Sequence, residues 1–216
     1  GPYSMCYLRY VQIWICLEFG RLDRAGELAA DMVERATHHG FDQWAALGAT
    51  FAAYVPAATK LAAGHPDAPE ITQAIATLTG WAQVCRHLGA TVFVPSFDGH
   101  AARLLVAAGQ PVDARARADA GLRLADDTSM HYYDAELLRV RAATHADPDA
   151  QREDLQKAFE LAGSQGAPVF ALRAALDDYD VCGDAARQKV AEAVAMFAAD
   201  SSWPDLGRAR ALLADP

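Results

Sequence analysis

The sequence predicts an all-α fold, a solenoid of antiparallel helix hairpins, and three observations carry that expectation. Gly20, Gly64 and Gly109 each close one Ala-rich segment and open another, 44 and 45 residues apart (64 − 20 and 109 − 64). A period of roughly 34 to 47 residues is that of stacked helix pairs, which cannot bury their apolar faces singly. Alanine, the best helix former and small enough for close backbone approach, supplies 48 of the 216 residues. Apolar–polar alternation at period two is scarce, so no strand is expected beyond a turn around 90–94.

About eleven helical segments follow in order. Residues 4–19 are apolar on nearly every side, through Tyr7, Leu8, Tyr10, Val11, Ile13, Trp14, Ile15 and Leu17, a pattern that implies burial between two neighbours. Asp23 is the expected cap of a second helix reaching His39, with Ala25, Ala29, Met32, Val33 and Ala36 along its apolar stripe and Gly40 as its stop. The third segment, 42–63, is expected to bend or break at Pro56. Pro69 suits the first turn of a fourth helix ending near Gly89. The fifth runs from about Pro95 to Gly109, with Ser96 and Asp98 helping to begin it. The sixth runs from Pro111 to about Ala125, ahead of a loop at 126–129. Segments at 131–145, 148–162, 168–181, 184–199 and 204–213 complete the array.

Composition narrows the function classes. A hydrophobic share of 52% over 216 residues is enough for one sizeable core or one continuous array. The net charge of −9 argues against direct nucleic-acid binding, which needs a concentrated basic footprint; Arg115, Arg117 and Arg123 are interleaved with Asp113 and Asp119. Cys6, Cys16, Cys85 and Cys182 are dispersed, as in the reduced thiols of a cytoplasmic protein. The apolar run 6–19 contains Arg9, Gln12 and Glu18 and is too short for a bilayer, so no membrane partner is expected. Gly1-Pro2, extending through Ser4, reads as an expression scar. A single helical-repeat domain is then expected over 5–216.

The runs Gly109-Gln110-Pro111-Val112-Asp113-Ala114, Tyr132-Tyr133-Asp134-Ala135-Glu136-Leu137-Leu138-Arg139 and Leu155-Gln156-Lys157-Ala158-Phe159-Glu160-Leu161-Ala162 resemble tetratricopeptide-type repeats. With Ala171-Leu172-Arg173-Ala174-Ala175, Pro204-Asp205-Leu206 and Ala209-Arg210-Ala211-Leu212-Leu213, the stretch is similar to the C-terminal helical region of bacterial regulators. Those regulators join an ATPase module to a LuxR-type DNA-binding or adenylate-cyclase-like domain. At the turn before Tyr132, Met130-His131 stands where such regulators usually carry a glycine. The resemblance implies tetratricopeptide-like repeats over 109–216, longer and less regular hairpins over 5–108, and a regulatory or protein-contact role. The phosphate-binding loop of the ATPase module is absent from these residues, so none of its chemistry carries over.

No catalytic residue, cofactor or metal site is expected from motifs. His38-His39 lacks a His-Glu-x-x-His context, and Ser96, Asp98 and His100 lack the strand–turn–helix of a nucleophile elbow. Glu136 and Arg139, three apart, have two readings. They form a surface ion pair, or with Tyr132 they line a concave groove that holds a carboxylate-bearing peptide or ligand. Trp44 and Phe97 extend that groove or belong to the core. Tyr10, Trp14 and Leu17 mark an uncovered face of the first helix, where a preceding repeat or a second copy would pack. The function expected is a non-catalytic interaction scaffold of a bacterial transcription or signalling regulator, with another protein or a domain of its parent chain as partner. The alternative is a sensor binding a small effector between repeats.

Overall fold

The computed structural model describes residues 1–214, which form eleven α-helices and one 3-10 turn and, among these residues, no strand. The helices are α1 (Pro2–Glu18), α2 (Leu22–His38), α3 (Asp42–Ala62), α4 (Pro69–His87), α5 (Val94–Ala107) and α6 (Pro111–Thr128). They continue as α7 (Asp134–Ala142), α8 (Pro148–Ser164), α9 (Pro168–Cys182), α10 (Arg187–Ala195) and α11 (Pro204–Ala214). No helix among them is long and apolar enough to cross a membrane.

Glycine and proline set the boundaries. At the end of α1, Gly20 takes φ +64°, its N–H donates to Leu17 O, and the Arg21 N–H donates to Cys16 O at 2.8 Å, closing the helix in a left-handed cap. Proline sits in the first turn of α1, α4, α6, α8 and α9, where its missing N–H costs no bond. Side-chain capping is rarer than the sequence implies. Asp147 caps α8 by accepting from the Asp149 N–H, whereas Asp23 lies inside the first turn of α2, whose N-cap is Arg21. There its charge faces the positive end of the helix dipole without a capping bond. Pro56 neither breaks nor splits α3, which is helical on both sides of it.

The chain divides into two compact units, Gly1–Thr91 with Ala107–Gly109, and Val92–Val106 with Gln110–Pro216. In the first, consecutive helices α1 to α4 pack as hairpins, and α1 also meets α3. Gly48 of α3 lets that helix close on α2, since a Cβ there would lie 2.9 Å from the Val33 side chain and 3.3 Å from Ala29 O. In the second unit, α6 through α11 pack consecutively, and the alternate pairs α7–α9 and α9–α11 also touch. Alternate contact of this kind is how stacked hairpins share one core. Leu172, Ala175 and Leu176 of α9 form one apolar cluster of it with Val190, Ala193, Leu206 and Ala209, and Ala135, Ala162 and Ala171 form another.

Two expectations for α1 change. Residues 2–4 belong to the helix, and the Tyr3 ring stands edge-on to Phe41 and Trp44 with centroids 5.4 and 5.5 Å away. Its outward face also differs in composition. Tyr10 is only 3% exposed and packs on Phe51, and Leu17 is half-buried, so neither is an outward group. Tyr3, Tyr7, Leu8 and Ile15 are the exposed apolar residues, with Trp14 and Val11 half-buried among them. The reason is helical phase: positions 6, 10, 13 and 17 share the side facing the unit's interior, leaving 3, 7, 8, 11, 14 and 15 outside.

Candidate functional site

In the second unit an aromatic residue recurs on alternate helices or just before them, at Phe97, Tyr133 and Phe170, spaced 36 and 37 residues apart (133 − 97 and 170 − 133). Three residues after each comes a polar group, His100, Glu136 and Arg173. The rings of His100, Tyr133 and Phe170 pack in a row. Tyr133 meets Phe170 edge-on at 5.7 Å and the His100 ring at 6.0 Å. Gly99 makes room for this row, because a Cβ there would lie 2.6 Å from the Tyr133 ring. The aromatic row brings the three polar residues to one place.

From there an ionic chain crosses α7, α9 and α11. Arg139 donates to both oxygens of Glu136 at 2.9 Å and, through Nη1, to Asp177 at 2.7 Å. Arg173 lies 3.9 Å from Glu136 and donates to Asp205 at 3.1 Å. Glu136 is only 4% exposed. Burial alone would push its carboxyl up, but Arg139 and Arg173 outweigh it and bring the pKa down to about 2, so the group is an anion at neutral pH. Glu136 and Asp177 hold the Arg139 guanidinium well above its ordinary range despite burial. Burial, aided by Arg103 and Arg173, lowers His100 to about 3, which makes it a neutral ring.

Tyr132 stands in the turn before α7 and does not share that helix's face; burial raises its phenol to about 12 against a hydrogen bond with Ser96. Ser96 and Asp98 do not begin α5. Ser96 donates back to Phe93 O at 2.7 Å, and Asp98, fully buried, pairs with Arg117 at 3.4 Å. With His100 against Tyr133, the three members of the sequence cluster serve different partners. Phe97 is 1% exposed and Trp44 8%, the latter beneath Tyr3 and Tyr7, so both are core residues and line no groove. Bulky rings at helical spacing lose more water-exposed area inside than any surface contact would remove.

A second cluster ties α6, α7 and α8 together. Arg141 grips Asp154 through two bonds of 2.8 and 2.6 Å and reaches Asp119 at 3.1 Å. His145 Nε2 lies 2.8 Å from the same Asp154, and Arg115 Nη2 lies 2.7 Å from His145 Nδ1. A guanidinium cannot accept, so Nδ1 is the acceptor and Nε2 carries the proton donated to Asp154. Both ring nitrogens are thereby engaged, and the Asp–His pair serves as a clamp between helices. Among the described residues no three His, Cys, Asp or Glu side chains form a group able to hold a metal ion.

Beside the ionic chain, α7, α8 and α9 border an open cleft of about 520 Å³, with Ala143, Pro148 and Asp180 exposed at its edge. Its walls are Ala142, Ala143, Pro148, Leu155 and Val181, and its polar groups are Arg139, Gln151, Asp177 and Asp180. Of the groups expected from sequence, the structure joins Glu136 and Arg139. Sequence reasoning gave His100 no part in this site and passed over Arg173, Asp177 and Asp205; His100 and Arg173 carry a signal, the repeated aromatic-x-x-polar spacing, whereas Asp177 and Asp205 carry none. No protein-family model, no curated protein and no solved structure matches this chain.

Proposed function

We propose that the chain is a non-catalytic, tetratricopeptide-like interaction module of a bacterial transcription or signalling regulator, receiving a segment of another protein or of its own parent chain. The observation that supports this is the ionic chain Asp177–Arg139–Glu136–Arg173–Asp205, whose partly exposed ends, Asp177 and Asp205, are held in place by largely buried arginines on α7 and α9. Fixed, mutually braced charges give register and selectivity to a docking segment at little ordering cost. Selection of peptides from a random display library against the purified protein tests the reading. Peptides are expected to lose at least about tenfold in affinity, some 1.4 kcal/mol, on the rim variant Arg103→Glu/Asp205→Lys. Equal binding to that variant overturns it.

The exposed stripe of α1 is assigned to a second copy of this chain. It carries almost no charge, Glu18 excepted, so two copies meet there without the repulsion that a net charge of −9 imposes elsewhere. Light scattering across a concentration series is expected to show dimers that Leu8→Glu/Ile15→Glu abolishes. A monomer at all concentrations refutes it.

A second reading, sensing of a small effector, is favoured by the α7–α8–α9 cleft, whose volume falls within the range of small-ligand sites.

A further inference from the structure

We infer that the α7–α8–α9 cleft is a binding site for an organic cation, an ammonium or guanidinium group on an aliphatic stem. The inference rests on the sensing reading where the cation is a free amine, and on the docking reading where it is a side chain of a bound segment. The walls supply the stem's environment: Ala142, Ala143, Leu155, Val181 and Pro148 are apolar and line a space of about 520 Å³, sufficient for a chain of several methylenes.

Charge decides the sign of the head group. Arg139 is the cleft's only cation among its described lining residues, and its charge is already matched by Glu136 on one side and Asp177 on the other. An anionic ligand would have to take Arg139 from two carboxylates, one of them buried, leaving that carboxylate without its principal partner. A cation meets the opposite situation. Asp177 and Asp180 stand one turn apart on α9, and each has one oxygen engaged, Asp177 Oδ2 by Arg139 and Asp180 Oδ1 by the exposed Arg208. The remaining oxygens, with the Gln151 carbonyl across the cleft on α8, offer acceptors to an ammonium's three donors. Displacing Arg208 costs little, since an exposed pair is weak. The shared chemistry, a cation on an aliphatic stem, comes from a free alkylamine or from a lysine side chain of a peptide.

The test is titration of the full chain, followed by amide chemical shifts, with n-hexylammonium, hexanoate and hexanol as matched probes, and with a short alanine peptide carrying one lysine. Saturable binding of hexylammonium is expected, with shifts at Ala143, Gln151 and Asp180. It should weaken at least about tenfold in Asp180→Asn and again in Ala143→Leu, which fills the cleft from an exposed position. Tighter binding of the peptide than of hexylammonium assigns the site to a side chain, and the reverse assigns it to a free amine; both support the inference. If hexanoate or hexanol saturates the cleft as well as hexylammonium does, the cation assignment falls while sensing stands. Absence of saturation by every probe, or binding indifferent to Ala143→Leu, overturns both.

Discussion

A carboxylate as deeply buried as Glu136 survives in the fold because two guanidiniums share it. Arg139 meets both of its oxygens and Arg173 approaches from α9, so the desolvation of three charges is offset by their mutual attraction. The arrangement is asymmetric in what its loss costs. Arg139→Met leaves an anion inside the unit with only its weaker partner, and is expected to lower unfolding free energy by about 3 kcal/mol. The double variant Glu136→Leu/Arg139→Met, which removes the buried charge as well, should recover most of that. Urea denaturation of the three proteins checks it, and a double variant worse than the single would contradict the account. Only part of this site was legible in the sequence. The three-residue spacing of Glu136 and Arg139 is a local signal. Asp177 lies 38 residues further on, and its pairing depends on how α7 lies against α9. Burial was equally unreadable: an exposed helical pair and a buried one have the same spacing.

At the scale of elements, most ends are written in glycine and proline, and those were readable. Pro111, Pro148, Pro168 and Pro204 begin helices where expected, because a fixed φ and a missing N–H fit the first turn at no cost in hydrogen bonds. Expectations failed where local hydrogen bonds carried a helix on or tightened its start. The Asp126-Asp127-Thr128 stretch, polar enough for a loop, extends α6 to Thr128, whose hydroxyl donates to Leu124 O at 2.7 Å. Residues 183–186 tighten into a 3-10 turn ahead of α10, which begins only at Arg187. Among the described residues, α6 alone ends on a left-handed residue that is not glycine. Ser129 takes the left-handed conformation, φ 56°, while the Met130 N–H closes on Ala125 O at 3.1 Å. A side chain there costs roughly 1–2 kcal/mol, of which a glycine's extra unfolded-state freedom returns a part. Ser129→Gly is therefore expected to stabilise the protein by about 0.5 kcal/mol, seen as a raised urea midpoint at unchanged slope. A lowered midpoint would mean that the serine side chain holds more than the strain releases.

Across the whole molecule, the two units differ in what they bury. Thr50 is the only buried polar residue of the first among those described, whereas the second buries Ser96, Asp98, His100, Asp134, Glu136, Asp154 and Asp178. Acid therefore acts on them unequally. His100, lowered by burial from 6.5 to about 3, stays neutral in the fold while the unfolded chain takes up a proton. Its contribution is complete above pH 6.5 and is lost as pH falls toward 3. Glu136 follows from 4.5 to about 2, and Asp154, which Arg141 and His145 lower against burial, adds in the same direction. Asp134, raised mainly by burial, opposes them and gains stability as it protonates. In the first unit Asp31 is lowered, chiefly by its bond with Arg35, but its exposure screens the effect. Each uncompensated proton tilts stability by up to about 1.4 kcal/mol per pH unit. Hydrogen exchange, corrected for intrinsic rates, is expected to show α7 and α9 losing protection between pH 7 and 4 while α2 and α3 keep theirs. Simultaneous loss in both units would refute the assignment. His100→Gln isolates the source, because the stability that Glu136 contributes is lost only as pH falls below about 4.5. In that variant the decline between pH 6.5 and 4.5 should flatten while the steeper fall at lower pH remains.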